Sequence, residues 1–187
     1  QVRKTHEAAH WGFGAIGKGY ALDLVAGMLS SRGWKNFSLS AGGSSIVLSG
    51  SKTQDSPWNW AWAWEKDEAA QWKGSHYAHR TGAPIALGIS GFQEQGAHIL
   101  GTQWELETPP LSQLVASGSA AIADALSTAA FVLPEDQAFE AVSRVARGAA
   151  AGTRIRTRLC TFQQRYELCA RDTRPIGWSR VVHALHL

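Results

Sequence analysis

The chain has 187 residues, of which 44% are hydrophobic and 18% charged, with a formal net charge of +3. That length supports one globular domain with a core of its own. The weak positive balance gives no strong nucleic-acid signal, and no run of about 18 apolar residues is present to form a transmembrane segment.

No signal peptide is visible, and a start at Gln1 fits numbering from inside a longer precursor. The first informative stretch is GFGAIGKGYALD, residues 12–23. A glycine-rich turn carrying Lys18 runs into a segment where Leu22, Val25, Ala26 and Leu29 recur at helical spacing, predicting a helix over 19–31 with Gly33 as its stop. Residues 36–41 and 45–49 read as two short strands around a Gly42-Gly43 turn. In SPWNWAWAWEK, Trp58, Trp60, Trp62 and Trp64 alternate with small or polar residues, so a strand would carry four indoles on one face. Such a face is either a core or interface surface, or a stacking platform for a base, a flavin or a sugar. Residues 84–90 and 97–100 read as further strands.

SGSAAIADALSTAAFVL, residues 117–133, predicts a buried helix capped by Ser117 or Ser119, with Ile122, Leu126, Ala129 and Leu133 as its apolar stripe. Asp124 is the single formal charge in that segment, and a carboxylate on a buried helix needs a partner. Thr128 lies four residues on, hence on the same face. The pair can serve a hard cation such as Mg²⁺, which favours oxygen ligands. Equally, Asp124 can be a buried carboxylate hydrogen-bonded to backbone. A third helix starts at Pro134 and runs to Gly148, acidic at its start and basic at its end as the helix dipole prefers.

The tail is strand-like, with seven arginines between 154 and 180. They read as a solvated sheet edge, with an acidic partner or nucleic acid as the alternative. Cys160 and Cys169 bracket a strand-turn-strand and are either a hairpin disulfide or two unpaired thiols.

Four blocks occur in order: GFGAIGKGYALD, AGGSS, ISGFQEQGAHIL and ADALSTAAFVL. Together they resemble the FAD:protein FMN transferase family, the ApbE-type flavin transferases, over the second half of a typical member. The resemblance implies an α+β fold of antiparallel sheets with helices packed on one side, and a single ApbE-like domain over residues 1–187. It implies Mg²⁺-dependent transfer of FMN from FAD to a threonine of an acceptor protein, in the periplasm or at a membrane. Carried over residue by residue, Asp124, Thr128 and the backbone carbonyl near Ala15 match the family's metal ligands. Gly14, Ala15, Gly17, Lys18, Gly19 and Ser90 match the flavin- and phosphate-binding positions, and His98 matches the active-site histidine.

Two positions depart from the family's pattern. Its first aspartate is Gly12 here, and the aspartate of its His-Ile-Ile-Asp block is Gly101, followed by TQWELE instead of a Pro-x-Thr-Gly run. Losing one acid-base group commonly lowers a rate by about 10²–10⁴-fold. Two expectations therefore stand side by side. One is an active transferase using FAD and Mg²⁺. The other is a catalytically silent ApbE-like domain that serves as a binding or structural subunit of a larger assembly.

Overall fold

The computed structural model describes residues 3–8, 10, 12–66, 72–79, 84–91, 112–148, 158–163, 166–171 and 180–181. Its principal layer is an antiparallel seven-stranded sheet in the order β1-β2-β5-β6-β7-β8-β9. These strands are β1 (Phe37–Ala41), β2 (Ser45–Ser49), β5 (Ile85–Gly91), β6 (Ser112–Ser117), β7 (Arg158–Gln163), β8 (Tyr166–Arg171) and β9 (Arg180–Val181). A separate ribbon pairs β3 (Trp58–Lys66) with β4 (Trp72–His79). Among the described residues three helices accompany the strands: α1 (Gly17–Ser31), α2 (Ala120–Val132) and α3 (Glu135–Gly148). The fold is α+β, as expected.

The two faces of the sheet are covered differently. On one face Val47, Ala86 and Val115 join Leu22 and Ala26 of α1, Ala123, Leu126 and Ala130 of α2, and Ala138 and Val142 of α3 in a single core cluster. On the other, Ile46, Leu48, Leu87 and Ala116 pack with Ile85, Ile89, Trp58 and Trp60. Alternate residues of each strand therefore feed opposite layers. Because β2 and β6 are buried along their whole length, neither shows the polar–apolar alternation that marks a half-exposed strand. That is why β6 escapes a reading based on periodicity. The partner strand β4 was also missed, since WKGSHYAH lacks the β-branched residues that favour strands.

Several boundaries move. α1 begins at Gly17, two residues before the predicted start. It ends as expected, with Gly33 N–H donating to Ser30 O and Trp34 N–H to Leu29 O, the Schellman pattern. Its buried line is Gly19, Leu22 and Ala26, whereas Val25 is exposed. The close approach of α1 to α2 at Gly19 selects that line. In α2 the deepest face runs through Ala123, Asp124, Ser127, Ala130 and Phe131, and the predicted Ile122 and Leu133 pack only partly against the core.

The tryptophan alternation holds in the β3–β4 ladder from Trp58 to Ala63, then a register shift between Ala63 and Glu65 interrupts it at Trp64. The shift marks a β-bulge in the ladder at that position. Trp58 and Trp60 are half-buried, and the Trp58 indole N–H donates to Ser49 O at 2.8 Å. This ties the ribbon to β2. Cys160 and Cys169 are register partners across β7 and β8. The predicted strand 97–100, with His98 and Gly101, lies outside the described residues.

Candidate functional site

The centre of the site is Asp124, 2% exposed in the middle of α2. Burying a carboxylate is costly unless it is hydrogen-bonded or paired. Three groups meet that need. Gly19 N–H donates to Oδ2 at 3.1 Å, the Ser45 hydroxyl donates to Oδ1 at 2.9 Å, and Lys18 Nζ lies 3.4 Å from Oδ1. Gly19 is in the first turn of α1, where N–H groups have no partner within the helix. Asp124 therefore caps α1 from another helix, and the dipole favours its charge there.

Backbone packing fixes its position. A Cβ on Gly19 would run into the Ala120 carbonyl and Ala121 N, and a Cβ on Gly88 would run into the Ala123 carbonyl and Asp124 N. α2 thus lies against bare backbone on two sides, α1 at Gly19 and β5 at Gly88. Ser45 is the register partner of Gly88 across β2 and β5, which brings its hydroxyl to the Asp124 carboxylate. Leading into β2, Gly42 and Gly43 hold φ of +61° and +69°, a region other residues seldom adopt. A Cβ on Gly42 would stand 4.0 Å from Lys18 Cδ. The AGGSS turn therefore borders the lysine.

The opening stretch divides into two functions. Gly19 is a packing joint. Gly12 and Gly14 are exposed, and a Cβ on either would meet nothing within 4 Å. Packing does not require glycine at those two positions, which leaves the turn's backbone open to approach. Lys18 Nζ donates to Gly14 O at 3.1 Å, so its ammonium bridges the turn and Asp124. Ala15 is exposed and Gly17 half-buried beside it.

Thr128 and Ser90 form a second patch. The Ser90 hydroxyl lies 2.9 Å from Thr128 Oγ1 and 3.0 Å from Ser127 Oγ. Ser127 and Thr128 hydroxyls also donate back to Asp124 O, at 2.9 and 3.3 Å. Asp124 and Thr128 share one stretch of α2, but the carboxylate faces Gly19, Ser45 and Lys18, while the hydroxyl faces Ser90. The structure brings together Gly14, Lys18, Gly19 and the Asp124 carboxylate in one group and Ser90 and Thr128 in another, and His98 lies outside the described residues.

Sequence reasoning missed Asp23, Ser45 and Ser127. Asp23 of α1 accepts from Ala120 N–H at 2.7 Å, Ala121 N–H at 3.0 Å and the Ser119 hydroxyl at 2.7 Å. Of the two predicted caps it is Ser119 that accepts from Ile122 N–H, at 3.3 Å. Among the described residues no group of three or more His, Cys, Asp or Glu side chains could hold a metal ion. The donors around Asp124 are instead hydroxyl and carbonyl oxygens, a set that suits a hard cation over a transition metal. Among the described residues no helix is long and apolar enough to cross a membrane.

Comparison with known proteins bears on this geometry. No curated protein sequence matches the chain. The flavin transferase ApbE from Vibrio cholerae superposes with a TM-score of 0.61 at 21% identity, over 85% of this chain and 49% of that one. The Pseudomonas stutzeri flavinyl transferase ApbE in its apo form gives 0.61 at 22%, over 87% and 51%. The apbe protein from Thermotoga maritima gives 0.57 at 21%, over 86% and 50%. At these identities the likeness is one of fold, and the chain spans about half the length of the structures it matches. The model of the ApbE family matches residues 1–151, and the chain belongs to that family.

Proposed function

We propose that the chain carries the cation- and phosphate-binding part of an FAD:protein FMN transferase, which moves FMN from FAD to a threonine of an acceptor protein and releases AMP. The observation that carries this reading is the Lys18 ammonium held jointly by Gly14 O and Asp124 Oδ1. A cation fits those oxygens because one is already there. Asp124 and a backbone carbonyl of the turn around Ala15 would hold Mg²⁺, with Thr128, whose hydroxyl meets Ser90, on the adjoining turn of α2. When bound, the metal stabilises charge on phosphoryl oxygens. The chain's own residues position and neutralise, which is most of what phosphoryl transfer requires of a protein. Bare backbone at Gly12 and Gly14 lets a diphosphate approach, Lys18 offsets its charge, and Ser90 orients the Thr128 hydroxyl. His98 is assigned to the reacting phosphate on the resemblance alone. A periplasmic or membrane-associated location belongs to the same reading. The test is incubation with FAD, Mg²⁺ and a threonine-bearing acceptor peptide. A mass increase equal to FMN less one water, the phosphoester formed as AMP leaves, supports the proposal, and an unmodified peptide with every acceptor tried counts against it.

A second reading, a silent subunit of a larger assembly, is favoured by the outer face of α1. Phe13, Tyr20, Leu24 and Met28 are each more than half exposed there, a patch of the kind that marks an interface. The occupant proposed for it is a partner subunit with an apolar face. Replacing Leu24 and Met28 with glutamate would then abolish assembly with that partner, read by size-exclusion chromatography, while leaving the isolated chain folded.

A further inference from the structure

We propose that Lys18 is the resident counter-cation of the Asp124 site, and that a divalent cation can enter only by displacing its ammonium. The proposal rests on the metal reading above. Lys18 Nζ makes its two contacts, to Gly14 O at 3.1 Å and Asp124 Oδ1 at 3.4 Å, with the oxygens that reading offers to a metal. The Asp124 side chain is 3% exposed and the Lys18 side chain 39%. The carboxylate is held by Gly19 and Ser45 and is stabilised further by a positive partner, whereas the lysine has an open path to solvent. Its stem runs beside Gly42, where even a Cβ would make no more than an ordinary contact, 4.0 Å from Lys18 Cδ. Two cations sharing one carboxylate oxygen would repel strongly at this separation. Occupancy is therefore exclusive: ammonium or metal.

The exchange has a consequence for the ligand. An ammonium driven off Asp124 by the metal stays tethered at the start of α1, beside the turn where Gly12 and Gly14 leave backbone open. It is then free to meet phosphate oxygens. Metal entry thus converts Lys18 from a partner of Asp124 into a partner of an anionic ligand, which makes it a positioning residue for that ligand. Metal should strengthen anion binding, and anion should strengthen metal binding by the same factor.

The experiment is Mn²⁺ titration followed by electron paramagnetic resonance, with wild type, Lys18→Gln, Lys18→Arg and Asp124→Asn, each first shown to melt cooperatively. With the competing ammonium removed, Lys18→Gln should bind Mn²⁺ about threefold more tightly or better. Its metal-free melting temperature should fall below that of the wild type, and Mg²⁺ should raise it by more. Lys18→Arg, which keeps a cation, should stay near wild type. Wild-type binding that Asp124→Asn abolishes but Lys18→Gln leaves equal or weaker overturns this proposal and leaves the metal reading standing. Absence of Mn²⁺ binding in every form overturns both.

Discussion

Asp23 and Asp124 cap each other's helices. Asp23 in α1 accepts the Ala120 and Ala121 N–H groups that open α2, while Asp124 in α2 accepts the Gly19 N–H that opens α1. Between the two caps the backbones meet at Gly19 and Ala120 without an intervening side chain. The position of the Asp124 carboxylate is thereby tied to a carboxylate 101 residues earlier in the chain.

Removing one half of this exchange should loosen the other. Asp23→Ala strips an acceptor from two backbone N–H groups and the Ser119 hydroxyl, and should cost about 1–3 kcal/mol. Asp23→Asn should cost less, because an amide oxygen still accepts. Urea denaturation of the three proteins measures it, and an unchanged midpoint for Asp23→Ala would show that the cap contributes nothing.

Asp124 separates stability from binding. Asp124→Ala leaves the Gly19 N–H and Ser45 hydroxyl without their acceptor and should destabilise by about 2–4 kcal/mol. Asp124→Asn retains an acceptor and should lose only part of that, yet a neutral amide should bind divalent cations far more weakly. Thermal melts with and without Mg²⁺ distinguish the two variants.

The glycines should divide sharply. Gly19→Ala and Gly88→Ala force a methyl group into backbone and should each cost about 1–3 kcal/mol or more. Gly14→Ala should change stability by less than about 0.5 kcal/mol while weakening diphosphate binding, because the space it fills is empty of protein. Equal stability losses at Gly14 and Gly19 would contradict this assignment.

Gly12 and Gly101 replace aspartates of the family's pattern. Nothing lies within 4 Å of a Cβ on Gly12, so Gly12→Asp fits without strain. If the transferase reading holds, restoring aspartate at both positions should raise the FMN-transfer rate by about 10²–10⁴-fold, as an acid-base group supplies. A silent subunit would show no gain.

Much of this was legible in the sequence where a signal is local. The 3.6-residue spacing in α1, the Gly42-Gly43 turn and the single charge on α2 each lie within one window of the chain, and each led to an element or buried residue that the structure contains. What escaped depends on distant partners. Asp23 looks like an ordinary polar residue of an amphipathic helix until Ala120 arrives some 97 positions later. Ser45 and Ser127 are small hydroxyls with no spacing signature, and their roles come from sheet register and from helix packing over Gly88. In β6, burial on both faces erased the alternation that would have revealed the strand.

The proposed divalent-cation site at Asp124, serving a flavin dinucleotide, is tested by FAD titration by fluorescence, with and without Mg²⁺, on wild type and Asp124→Asn. Such a site gives Mg²⁺-dependent FAD binding by the wild type that Asp124→Asn abolishes although it remains folded. FAD binding that ignores both Mg²⁺ and the substitution, or no FAD binding by a well-folded wild type, would contradict it.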